Sequence, residues 1–117
     1  MNIGDITSTE ETVGVAVVNY PAPIISSMQD VIQNAKKMSA IVEGTKRGIP
    51  GIDLIIFPEY SLQGFNPKKW KELSLDVNSK PIDILLQTAI ETNTWIVAVL
   101  TGEINKIVVK IPMTLQF

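Results

Sequence analysis

The residues best placed for chemistry are Pro58-Glu59-Tyr60-Ser61, which follow directly on the apolar run Leu54-Ile55-Ile56-Phe57. In open α/β sheets ligands gather beyond the carboxyl ends of the strands, so a carboxylate two residues past a strand is aimed at the crevice. The proline before it fixes φ and reduces local freedom. A partly buried Glu59 at that point can act as a general base; a solvated or hydrogen-bonded loop carboxylate is the alternative that spacing alone leaves open. Tyr60 and Ser61 offer hydroxyls to the same pocket. Ser61 has no histidine to activate it, and a buried tyrosine is more often packing than chemistry.

The absent residue types narrow the chemistry further. The 117 residues contain neither Cys nor His. Disulfides, thiolate zinc sites and a cysteine nucleophile would all need another chain, and Ser-His-Asp triads and histidine metal clusters are excluded. Carboxylates, lysines and hydroxyls remain, and no metal site is expected. Ten Lys+Arg against twelve Asp+Glu give a net charge of −2, too balanced for the basic stripe that phosphate neutralisation requires, so nucleic acid is not an expected partner. Lys68, Lys69 and Lys71 around Trp70 resemble a stacking platform for single strands, but beside Glu72 they read better as a solvated face. The glycines form neither G-x-G-x-x-G nor a phosphate loop. The polar, acidic start MNIGDITSTEE lacks the pattern of a secretion signal, which points to the cytoplasm. The longest apolar stretch, residues 95–100, is far below the ~20 residues that span a bilayer; a soluble protein without membrane contact is expected.

The elements that must position Glu59 are legible from periodicity. Val13 to Val18 is a β-branched apolar run of the kind buried on both faces of a parallel sheet, and Pro21 and Pro23 end it. Ser27 with Asp30 resembles a capping box. Behind it Met28, Val31, Ile32, Ala35, Met38, Ile41 and Val42 recur at helical spacing, with Gln29, Gln33, Lys36, Lys37 and Glu43 opposite. The helix should end between Gly44 and Gly48, and Gly48-Ile49-Pro50-Gly51 is a turn into the second strand. Strand, helix and strand make a right-handed βαβ unit. Asn66 and Pro67 read as the cap and first residue of a short helix with Trp70 and Leu73 inward. Pro81 opens another helix, with Ile82, Leu85, Leu86, Ala89 and Ile90 on one face, and residues 95–100 form a third strand. Beyond Gly102, Ile107-Val108-Val109 and Ile111 suggest an edge strand limited by Pro112. At this length one modest α/β domain is the limit.

The segment Ile55-Ile56-Phe57-Pro58-Glu59-Tyr60-Ser61-Leu62-Gln63-Gly64 resembles the strand-end signature of the nitrilase superfamily, the carbon–nitrogen hydrolases. Gly4-Asp5-Ile6, the run from Thr12 to Tyr20, Pro50-Gly51 and Leu100-Thr101-Gly102-Glu103 are similar to the aliphatic amidase branch, with formamidases next. The resemblance covers residues 1–103. It implies the N-terminal part of an αββα sandwich, with three or four strands and helices on one face. It also implies hydrolysis of a small aliphatic amide to carboxylic acid and ammonia by a Glu-Lys-Cys set, without a cofactor. On that resemblance Glu59 is the general base and Tyr60 lies beside it in the substrate pocket. The family glutamate activates a cysteine thiol for attack on the amide carbonyl, and a lysine stabilises the oxyanion.

Two departures from the family pattern follow. There is no Cys, and the family lysine comes after a further strand; Lys110 follows Glu59 too closely to be that lysine. The tail Ile111-Pro112-Met113-Thr114-Leu115 is similar to the family's Pro-Tyr-Asn-Thr-Leu segment after a small deletion that shifts the frame. A single partial domain over residues 1–117, cut before the Lys and Cys segments and inactive alone, is the expectation. The alternative is a non-catalytic module or remnant that associates, with itself or another chain, through an incomplete sheet.

Overall fold

The computed structural model describes residues 12–69, 71–76, 78–102 and 105–108. Gly4-Asp5-Ile6, Trp70, Glu103, Lys110 and the tail from Ile111 lie outside them. The chain runs β1 (Gly14–Val17), α1 (Met28–Gly48), β2 (Ile52–Ile56), α2 (Lys80–Thr92), β3 (Trp95–Val97), β4 (Val99–Gly102) and β5 (Asn105–Val108). β1, β2 and β3 form a parallel sheet in that order, with Ala16 beside Ile55 and Ile55 beside Ile96. Both crossovers step in the same direction, and right-handed crossovers then put both helices on one face. α1 and α2 pack on each other there, and the hydroxyls of Ser39 and Thr88 share a hydrogen bond between them. The expected α/β architecture with helices on one face is what the chain adopts.

The strand period of two decides which side chains meet the helices. Ile55 and Ile96 are fully buried against Val31, Ala35, Met38 and Val42 of α1 and Ile82, Leu85 and Ala89 of α2. Ile90, expected on the same stripe, is instead exposed. It lies one residue past Ala89, a rotation of about 100° that carries it to the stripe's margin. The other sheet face is also apolar, with Val15, Leu54 and Trp95 in one row and Val17, Ile56 and Val97 in the next. Among the described residues no helix lies on it, and Val17 is 75% exposed.

α1 begins as its sequence dictates, with one shift. The Ser27 hydroxyl accepts from the Asp30 backbone N–H at 3.2 Å, while the Asp30 carboxylate reaches back to the N–H of Ser26 rather than Ser27, at 2.9 Å. Lys46 and Arg47 occupy the last turn, where cations favour the carbonyl end of the helix dipole. Lys46 Nζ also donates to the Ile52 carbonyl at 2.7 Å, fastening the helix end to the start of β2.

Two expectations need correction. The apolar run 95–100 is two strands, not one: β3 completes the three-stranded parallel sheet and β4 belongs to a separate two-stranded one. The last bond from β2 to β3 is Phe57 N–H to Val97 O at 2.9 Å. β2 then enters the turn that Ser61 N–H closes on Pro58 O, the neighbouring strand leaves the sheet at Ala98, and β4 pairs antiparallel with β5. The strand expected around Ile107 is therefore the second arm of this hairpin. Nor are the described residues of the expected short helix helical: 67–69 and 71–73 are turns. Asn66 does not cap it: Nδ2 donates to the Ile25 carbonyl at 3.0 Å. Gln63 Nε2 takes the Leu73 carbonyl at 2.6 Å. So short a run has too few helical bonds to offset nucleation, and these tertiary bonds win. Leu73 is buried as expected.

Two glycines make opposite demands. A Cβ on Gly14 would stand 2.8 Å from the Gly51 carbonyl oxygen, a backbone atom that cannot step aside. A Cβ on Gly44, within α1, would meet only the Arg47 guanidinium end at 3.9 Å. Gly14→Ala should lower unfolding stability by about 1–3 kcal/mol and Gly44→Ala should raise it by about 0.5–1 kcal/mol. Urea unfolding midpoints of the two variants moving in the same direction would contradict this packing.

Candidate active site at the strand ends

The site is built where β1 and β2 end. Val18 N–H donates to Ile56 O at 2.9 Å, so the two chains leave the sheet side by side. The first carries Tyr20, whose ring stands edge-on to Phe57 with centroids 5.9 Å apart. The second turns at once: Ser61 N–H and the Ser61 hydroxyl both donate to Pro58 O, at 3.3 and 2.5 Å. Gly64 N–H then closes on Tyr60 O at 3.0 Å.

Glu59 sits on the outside of this turn. Pro58, Glu59 and Tyr60 are exposed, whereas Ser61, Leu62, Gln63 and Gly64 are buried. A partly buried carboxylate is thus not what these residues form by themselves, because the turn that buries Ser61 to Gly64 swings the preceding three residues toward solvent. Tyr60 has φ +69°, in the left-handed region. Such a conformation in a residue other than glycine costs energy and persists only where the surroundings hold it. Gly64 has φ +68°, and a Cβ there would lie 2.4 Å from the Pro23 carbonyl oxygen. Only glycine fits this approach between the two loops.

The buried side that holds the turn is Asn34, on α1 and only 6% exposed. Its Nδ2 donates to Ser61 O at 2.6 Å and to Leu62 O at 3.0 Å. Its Oδ1 accepts from the Tyr20 hydroxyl at 2.5 Å. One amide therefore joins the helix, the loop after β1 and the turn after β2, with both ends satisfied as burial requires. Burial pushes the Tyr20 phenol pKa up.

Beyond the turn lies a cavity of about 280 Å³. Tyr60, Phe65, Pro67 and Leu73 give it an apolar wall, and Gln63 and Asn66 line it with amides. Tyr60 and Phe65 meet edge to face at 5.1 Å. Glu59 is on the adjoining turn and does not line this cavity. Lys68, Lys71 and Glu72 are exposed, and Lys69 Nζ donates to Ser26 O at 3.0 Å, in keeping with a solvated face. Ser61 is buried and bonded to Pro58, so it has a packing role. Among the described residues no group of three or more His, Cys, Asp or Glu could hold a metal ion, and no helix is long and apolar enough to cross a membrane.

Reading the sequence for chemistry singled out Glu59 and Tyr60 but passed over Asn34, Gln63 and Phe65. A signal for Asn34 existed: it falls between Val31 and Met38 on the buried stripe of α1, where a polar residue is an exception that calls for partners.

Glu59 thus stands on a proline-led turn at the end of a parallel strand. The family model for carbon–nitrogen hydrolases matches residues 14–109, and the chain belongs to that family. It is 38% identical over 96 residues to the formamidase of Nitratidesulfovibrio vulgaris (strain DP4), covering 80% of this chain and 29% of that protein. The formamidase of Helicobacter acinonychis (strain Sheeba) gives the same identity and coverage. The formamidase of Bacillus thuringiensis (strain Al Hakam) is 37% identical over 82 residues, 68% of this chain and 25% of that protein. The chain spans under a third of the length of these formamidases.

The buried phenol yields a pH prediction. A pKa raised from 10.0 in the folded state means that the fold holds the Tyr20 proton more tightly than the unfolded chain does. That stability is whole below the unfolded pKa and is lost as pH rises through the folded one. Wild-type protein should lose more stability than Tyr20→Phe between about pH 9 and pH 11. Equal losses in urea titrations of the two would show that Tyr20 keeps no such proton.

Proposed function

We propose that this chain contributes the general base of an amide hydrolase that cleaves a small aliphatic amide to its carboxylic acid and ammonia. The observation that carries this reading is Phe57-Pro58-Glu59-Tyr60-Ser61 at the end of a parallel strand, in a chain of the carbon–nitrogen hydrolase family whose relatives are formamidases. In this reading Glu59 takes the proton of a cysteine thiol, the thiolate attacks the amide carbonyl, and a lysine stabilises the oxyanion. The proton then passes to the leaving nitrogen, ammonia departs, and water releases the acid from the thioester. Tyr60 stands beside the base on the substrate side. In this reading neither cofactor nor metal is required.

The 117 residues include no cysteine, so the thiol must come from outside them and these residues alone should not turn amides over. Losing the nucleophile of a catalytic set leaves only residual acceleration. A second reading rests on the open sheet face, where Val15, Val17 and Trp95 are 48, 75 and 38% exposed. An apolar face of this kind favours association, and in that reading the chain is an interaction module or a remnant without chemistry of its own.

Two measurements separate these readings. Ammonia release from formamide or acetamide by the purified chain should not exceed the buffer blank. Saturable turnover that disappears in Glu59→Ala would refute the inactivity. Light scattering on a gel-filtration column should give one defined oligomer for an interaction module, polydisperse aggregate for a remnant, and a stable monomer for neither.

A further inference from the structure

We propose that Asn34 is the positioning residue for Glu59, acting through the backbone of the turn that carries it. This rests on the reading of Glu59 as the base. The turn has an exposed half, Pro58 to Tyr60, and a buried half, Ser61 to Gly64. Asn34 grips the junction on its buried side, through Ser61 O at 2.6 Å and Leu62 O at 3.0 Å. Two bonds from one planar amide to consecutive carbonyls set the orientation of both peptide units as well as their position. Tyr60, between Glu59 and the gripped carbonyls, is held at φ +69°, a conformation that relaxes unless its surroundings enforce it.

The amide is itself held in one orientation. Oδ1 accepts from Tyr20, whose ring is braced edge-on against Phe57, the residue that follows β2 two positions before Glu59. The network therefore starts and finishes on the same strand end and encloses the base between Phe57 and Ser61. A carboxylate that exchanges protons must be held within hydrogen-bond reach of its partner. An exposed residue such as Glu59 cannot obtain that from packing of its own side chain. Backbone control from beneath is the arrangement that these contacts supply.

The test uses Asn34→Asp in the 117-residue chain. The substituted side chain keeps the acceptor for Tyr20 but loses both N–H donors, and it sets a carboxylate against two carbonyl oxygens. Amide exchange at Ser61 and Gly64, the two turn N–H groups, should quicken about tenfold or more, with Leu85 and Ala89 in α2 unchanged. The backbone order parameter of Glu59 should fall from about 0.85 toward 0.6 or below. A purely structural role would speed exchange in α2 as much as in the turn, and that result overturns the proposal. So does a folded variant in which Glu59 keeps its order. Should Asn34→Asp fail to fold, Tyr20→Phe decides, because it leaves both donors in place and frees only the Oδ1 anchor. Greater mobility confined to residues 59–64 supports the proposal, and unchanged mobility there refutes it. Neither readout uses turnover, so failure here is distinct from failure of the amide-hydrolysis reading.

Discussion

The arrangement at the strand ends depends on one buried amide. α1 covers the sheet with an apolar stripe, and Asn34 interrupts that stripe with a group that cannot be left without partners inside a protein. Its partners are chosen by the fold: two carbonyls from the turn after β2 and one hydroxyl from the loop after β1. Removing such a group leaves buried carbonyls unpaired at a cost of about 1–3 kcal/mol each, which exceeds what the bonds contribute net when formed. The asymmetry gives the network its specificity. A chain that misplaced the turn by one residue would bury Ser61 O or Leu62 O with no donor.

The second constraint is Pro58. Ile56 O accepts from Val18 N–H, so by strand alternation Pro58 also faces β1, and its missing N–H ends the β1–β2 ladder. The chain turns at the place where the carboxylate sits, and past Val97 the neighbouring strand leaves the sheet for the β4 and β5 hairpin. Gly64 adds the complementary demand on the other side of the turn. Its missing Cβ admits the Pro23 carbonyl, so the loops after β1 and β2 lie closer than any other residue would permit. A proline that stops pairing and a glycine that permits approach thus bracket the five residues, 59–63, on which the site rests.

Local physics made much of this legible. The βαβ order, the Ser27 cap, the stripe of α1 and the position of Glu59 past a strand all rest on short-range rules, and each has its structural counterpart. The readings that failed required information from elsewhere in the chain. Residues 95–100 read as one strand because nothing within them signals a break; the break shows only in the pairing, β3 lying parallel to β2 and β4 antiparallel to β5. The short helix after Asn66 lost to side-chain bonds from Gln63 and Asn66 to distant carbonyls. Ile90 fits the stripe by type and misses it by angle. Asn34 was discernible as a polar exception on an apolar face, but its partners were not, because they lie 14, 27 and 28 residues away.

The exposure of Glu59 and the bareness of one sheet face bear on each other. A general base works best where water is excluded, since charges interact more strongly there and the reacting groups are not screened. What these residues contribute is geometry: a strand end, a turn and a buried amide that fixes it. They do not contribute a dry environment, because Pro58, Glu59 and Tyr60 face solvent. The apolar rows from Val15 to Trp95 and from Val17 to Val97 are a surface that gains from being covered, at about 25 cal/mol for each Å² removed from water. In the hydrolase reading, covering and desolvation must accompany each other. Frame and base are present at the strand ends, and whatever lies over them must bring the nucleophile and exclude the water.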